Sequence, residues 1–178
     1  CNGLIYAPPH PCICYLTAKL NGFYALAGDR RDSRTREPPR LERGPAFGAT
    51  SHRSTFHVDP AEDWPTYRHD ALRSGATGSV VPPRLEPVWK AQLGARPSSP
   101  VVAGGVLLAA VVDAHRVEAR RADDGAPLWT YTAGARVDTP PTVADGRVVF
   151  GGADGWICCL RLADGRLLWR RRAAPREQ

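Results

Sequence analysis

The sequence predicts an all-β fold, a partial β-propeller, and three observations carry that expectation. Three tryptophans, Trp89, Trp129 and Trp169, recur at equal intervals. Around them the chain repeats with a period of about 40 residues, within the range of propeller blades. Tight-turn dipeptides recur inside each unit: Gly104-Gly105, Asp113-Ala114 and Asp124-Gly125 in one, Asp145-Gly146, Asp154-Gly155 and Asp164-Gly165 in the next.

The repeat aligns Ser99–Leu108 with Pro140–Val149, then Val117–Trp129 with Cys158–Trp169, with one extra residue placed at Asp123-Asp124. Asp-Gly between apolar runs favours a hairpin, because the turn needs positive φ and glycine supplies it without steric cost. The runs between turns are short and rich in β-branched and aromatic residues. A helix would need a 3.6-residue period over ten or so residues free of glycine, and none is present. Two complete four-stranded antiparallel blades are expected, at about 98–132 and 139–172.

Taken from its start, the chain first offers two short strands, Gly3–Pro8 and Phe23–Ala27, read as the remnant of a preceding propeller blade over 1–28. Between them Pro9–Leu20 carries His10, Cys12 and Cys14. A disulfide joining Cys1 to Cys12 or Cys14 is the leading reading, and it implies an oxidising compartment. A soft-metal site, free thiols and a partner outside this stretch remain as alternatives; the metal lacks a fourth ligand and the usual spacing. Residues 29–62 are charged, proline-rich and without apolar period, so a flexible linker is expected. Asp63–Asp70 begins the ordered part, with Trp64 and Tyr67 suited to lie across the end of a sheet. Leu85–Leu93 is expected as an orphan strand that closes a blade whose other strands lie beyond Gln178. On that reading Trp89 is the most exposed of the three tryptophans.

Composition narrows function by exclusion. The chain has 178 residues, no methionine and a formal charge of +6, carried by arginine with Lys19 and Lys90 the only lysines. The arginines scatter over turns with no aromatic interleaving, so nucleic-acid binding is not expected. No run is long and apolar enough for a membrane span. The beginning at Cys1 suggests a piece of a longer protein.

The run Pro141–Gly151, then Asp154-Gly155, then Leu160–Trp169 resembles the repeat of PQQ-like (quinoprotein-type) β-propellers. The segment Asp63–Arg68 is similar to the lead-in before blade one of such propellers, and the head, Asn2–Tyr15, to the end of a first propeller in two-propeller bacterial members. The resemblance implies that each tryptophan docks near the glycine of a preceding turn, pairing Gly125 with Trp129 and Gly165 with Trp169. It implies a module acting as scaffold or binding platform in a larger periplasmic or extracellular protein. Its partners would be the remaining blades and other proteins. The alternative is part of a PQQ-dependent alcohol or sugar dehydrogenase. No catalytic, cofactor-binding or metal residue is assigned in this stretch, and no cofactor is expected for it. PQQ and calcium belong to the longer parent on the alternative reading.

Cys158-Cys159 invites comparison with the bridged cysteine pair of PQQ-dependent alcohol dehydrogenases. Neighbours in a strand point to opposite faces, so two small buried thiols are expected instead. Asp145, Asp154 and Asp164 read as turn residues rather than calcium ligands. His115 and Asp138 have neither a turn explanation nor a partner.

Overall fold

A computed structural model of the chain describes residues 4–7, 24–27, 40–48, 58–59 and 62–174, the first two stretches as backbone. The molecule is all-β, and its two larger sheets have the architecture of a partial β-propeller. Strands β1 (Leu4–Ala7) and β2 (Tyr24–Ala27) pair antiparallel, with Leu4 opposite Ala27, and belong to one compact unit. Everything from Pro39 to Ala174 belongs to a second. Cys1, His10, Cys12 and Cys14 lie outside the described residues.

In the second unit, β3 (Leu41–Arg43) comes first in the chain. The first blade is β4 (Val101–Ala103), β5 (Val106–Val111), β6 (Arg116–Arg121) and β7 (Pro127–Thr132), a meander in chain order. The second is β8 (Thr142–Ala144), β9 (Arg147–Gly151), β10 (Trp156–Arg161) and β11 (Leu167–Arg172), in the same order. Each blade opens with a two-residue turn whose two residues both have positive φ: Gly104-Gly105 and Asp145-Gly146. That left-handed pair matches the twist of the flanking strands.

Strand register corrects the repeat alignment. Ala119 faces Trp129 in the first blade as Cys159 faces Trp169 in the second. The extra residue therefore lies earlier than Asp123-Asp124. It is absorbed by the 3-10 turn Val112–Ala114, which His115 closes at φ 53°. His115 thus has a turn role, and its carbonyl accepts from Ala133 N at 2.7 Å. Asp138 has a partner in Arg136, at 2.6 Å.

The core lies between the blades. Val101, Ala103, Leu108, Ala110, Val117 and Ala119 of the first pack with Val143, Val148, Phe150, Cys158 and Leu160 of the second, all buried. The alternation of each strand sends one set of side chains to this seam and the other away from it.

One expectation fails here. Leu85–Leu93, expected as an orphan strand, forms no ladder among the described residues, and bonds from Trp89 Nε1 and Arg116 hold it. Part of the expected linker is structured. β3 pairs antiparallel with β11, placing Glu42 opposite Arg170, and makes the second sheet five-stranded. The unpaired edge of β11 is the physical cause, since its free backbone groups take up any strand that reaches them. Gly44 N donates to Leu168 O at 2.8 Å, Glu42 pairs with Arg170 at 2.6 Å, and Ala46 is 2% exposed against Cys159 and Leu168.

A Cβ at Gly44 would stand 2.2 Å from Leu167 O, a backbone atom that cannot swing aside. Gly44→Ala is therefore expected to release β3 from β11, at a cost of about 1–2 kcal/mol in lost hydrogen bonds and burial. Faster amide exchange at Arg172, whose N–H is held by Arg40 O at 2.8 Å, checks it.

Candidate functional site

Two places on the second unit combine chemistry with shape: the seams where tryptophans dock, and a cleft against the inner strands.

At the seam between blades, Trp129 leaves β7 and lies over the turn of the second blade. Its Nε1 donates to Leu162 O at 2.7 Å, and a Cβ on Gly165 would meet the indole at 2.5 Å. Gly165 has φ +68°, closing a turn in which its N–H reaches Arg161 O at 2.9 Å. The same arrangement stands one unit earlier. Trp89 Nε1 donates to Ala122 O at 2.8 Å, and its ring lies 2.6 Å from where a Gly125 Cβ would be. The expected pairing is thus displaced by one unit. Gly125 holds Trp89 and Gly165 holds Trp129; Gly125 does not meet Trp129, nor Gly165 Trp169. The reason is that the seam lies between units, whereas a tryptophan and the glycine four residues before it share one hairpin and point apart. Trp89, Trp129 and Trp169 are all half-buried, so Trp89 is not set apart by exposure. Its docking on the Gly125 turn supplies the cover that the missing ladder does not.

The polar counterpart of this seam is on β6. Glu118, 8% exposed, accepts from Arg116 Nε at 2.8 Å and Arg120 Nη2 at 3.0 Å. Arg116 also donates to Leu93 O at 2.6 Å and Arg120 to Gly125 O at 3.1 Å. These bonds tie the Trp89 segment and the Gly125 turn to one charged ladder.

The cleft, about 460 Å³, is lined by Val58, Pro65, Thr66, His69, Asp70, Ala71, Arg73, Thr142 and Val143. The lead-in segment builds it by crossing two inner strands. Trp64 exchanges backbone bonds with Val102 of β4 at 2.7 and 2.9 Å, and Val143 N of β8 donates to Pro65 O at 2.7 Å. Asp63 Oδ1 accepts from Gly104 N at 2.9 Å. Arg68, His69 and Arg73 all have positive φ, an uncommon conformation for side chains of their size. The polar groups answer one another: the Thr66 and Thr142 hydroxyls are 2.8 Å apart, and Arg73 Nη1 reaches Tyr67 O at 2.7 Å. Bonds from the hydroxyl and backbone N–H of Ser74 hold Asp70 down to a pKa of about 2. A carboxylate that low is ionised at neutral pH and a poor general acid or base.

The cysteine pair divides as strand alternation requires. Cys158 enters the inter-blade core beside Tyr131, and Cys159 the opposite face with Ala46 and Leu168. Both are free thiols, and burial pushes both pKa values up, which disfavours thiolate chemistry. Burial, with the Cys158 thiol second, pushes Tyr131 up to about 12. This raised value stabilises the fold fully below the ordinary tyrosine pKa of 10. Above it the unfolded chain loses its proton first, so stability falls between pH 10 and 12. Tyr131→Phe is expected to flatten that part of the alkaline fall in Tm relative to the parent.

A quinone–calcium centre needs several carboxylate or amide oxygens converging on one cation. Among the described residues no three His, Cys, Asp or Glu side chains group in that way. Asp124 and Asp164 cap their own turns and pair with Arg121 and Arg161. These residues do not fit the group. Among the described residues no helix is long and apolar enough to cross a membrane.

Comparisons with known proteins agree with this architecture. The family model described as outer membrane protein assembly factor BamB matches residues 73–178. No curated protein matches the sequence. A europium-containing methanol dehydrogenase shares the fold at TM-score 0.55 and 19% identity, over 65% of this chain and 24% of that enzyme. Quinohemoprotein alcohol dehydrogenase from Comamonas testosteroni does so at TM-score 0.50 and 20% identity, over 65% and 20%. BamB from Moraxella catarrhalis is 21% identical over 38% of this chain and 20% of its own, at TM-score 0.36. The chain thus spans about a quarter or less of each of these proteins.

Proposed function

We propose a role for this chain from its family: it belongs to the PQQ-like repeat family described as outer membrane protein assembly factor BamB. It serves as a non-catalytic propeller module, a scaffold and binding platform within a larger periplasmic or extracellular protein. The observation that carries this reading is the use of its polar groups. Glu118, Asp70, Arg73, Thr66 and Thr142 are spent on holding segments and blades together, and the buried thiols are held neutral. An acid–base or nucleophilic centre needs groups poised to exchange protons with a substrate. The family description, which names outer-membrane assembly, supports both the compartment and the dependence on protein partners.

A second reading, part of a PQQ-dependent alcohol or sugar dehydrogenase, draws on the fold shared with the two dehydrogenases. One experiment separates them. The larger protein that contains this chain is incubated with PQQ and calcium and assayed for quinone absorbance and for alcohol-dependent dye reduction. The scaffold reading expects neither; calcium-dependent turnover would establish the enzyme.

A further inference from the structure

We propose that the outer edge of β7 is a docking site for an extended segment of another protein, one bearing a glycine and a small apolar residue spaced as Gly44 and Ala46 are. The proposal deepens the binding-platform reading and rests on it.

The two blades provide an internal comparison. Thr130 faces Glu118 across β6–β7 as Arg170 faces Cys158 across β10–β11, so Leu128, Thr130 and Thr132 occupy the places of Leu168, Arg170 and Arg172. On β11 that edge is taken. Leu168 O accepts from Gly44, Arg172 N–H donates to Arg40 O, and Glu42 lies opposite Arg170. On β7 the equivalent groups face outward, and the strand is last in its sheet among the described residues. The consequence shows in one side chain: Leu168 is 3% exposed and its counterpart Leu128 44%.

Beyond Pro127, which opens the strand, the β7 edge also lacks, among the described residues, the devices that keep sheet edges apart. Sheet edges are blunted by charge, by proline or by a covering segment. β11 has both three arginines and a cover. From Leu128 to Thr132, β7 has no charge, no proline and no cover among the described residues, and its Thr, Trp and Tyr favour strand pairing.

The occupant's chemistry follows from the occupied edge. Opposite Arg170 stands an acid, Glu42; opposite Thr130 an uncharged β-branched residue or hydroxyl fits best. Two residues later a glycine is required, because a Cβ at Gly44 would collide with the Leu167 carbonyl, whose counterpart is that of Pro127. Two further on comes a small apolar side chain, as Ala46, to cover Leu128.

The test uses a peptide with the sequence of residues 39–48 carrying Glu42→Thr, titrated into the full chain, with amide exchange read residue by residue. Binding should slow exchange at Thr130 and Thr132 and leave Arg170 and Arg172 unchanged. Thr130→Pro, which removes an edge donor, should weaken binding roughly tenfold or more. Thr130→Arg, milder for the fold, should reverse the preference toward the unaltered Glu42 peptide. Absence of binding, protection confined to Arg170 and Arg172, or no peptide preference in Thr130→Arg would overturn the proposal. So would self-association through β7 without peptide binding. None of these results bears on the quinone assay, so the platform reading stands or falls separately.

Discussion

Replacing Gly165 with alanine is expected to destabilise the protein by about 2–4 kcal/mol, the sum of a backbone and a seam effect. The backbone effect comes from φ +68°, where an L-residue costs roughly 1–2 kcal/mol. The seam effect comes from Trp129. A Cβ would stand 2.5 Å from its indole, so the ring must lift and its 2.7 Å bond to Leu162 O must stretch or break. Gly105→Ala separates the two effects, because Gly105 has φ +75° and open space around it. Urea unfolding should show Gly105→Ala losing the backbone part alone. Equal losses at the two positions would mean that Trp129 does not hold the seam. Gly125→Ala should reproduce the Gly165 result through Trp89.

Glu118→Ala is the second large effect, expected at about 2–3 kcal/mol. Breaking a fully buried ion pair costs about 3–5 kcal/mol because the remaining charge is stranded. Here Arg116 and Arg120 keep side-chain exposures of 30% and 20%, so water recovers part of that loss. Both arginines also hold backbone carbonyls, of Leu93 and Gly125, so the Trp89 segment should loosen in the same step. The loosening is read as a rise in Trp89 fluorescence quenching by iodide, alongside the urea midpoint. Glu118→Leu distinguishes charge from packing. The second blade has Cys158 at the equivalent position, so an apolar residue is compatible with the strand. If Glu118→Leu matches the parent in stability, the ion network holds position rather than adding stability.

The blades were legible because their signals are local. Asp145-Gly146 and Gly104-Gly105 specify hairpins through their own φ preferences, and Val148, Phe150, Cys158 and Leu160 mark a core face within single strands. The same locality explains Cys158 and Cys159, whose opposite facing follows from strand alternation alone. The β3 strand and the glycine–tryptophan pairing depend on residues distant along the chain. β3 is polar, three residues long and far in sequence from β11; no alternation announces it. The Arg116–Glu118–Arg120 ladder carries a local signal, an acid flanked by arginines at alternate positions of a strand, but only the docked Trp89 segment gives it a role.

The sequence by itself determined the all-β class, the repeat, its turns and the faces of its strands, because each depends on neighbours within one hairpin. Tertiary structure alone decided which glycine receives which tryptophan, that Leu41–Arg43 is a strand on one edge, and that the matching edge of β7 has no neighbour among the described residues. Those outcomes depend on surfaces brought together only by stacking one blade on the next, where contact geometry, not local preference, sets the free energy.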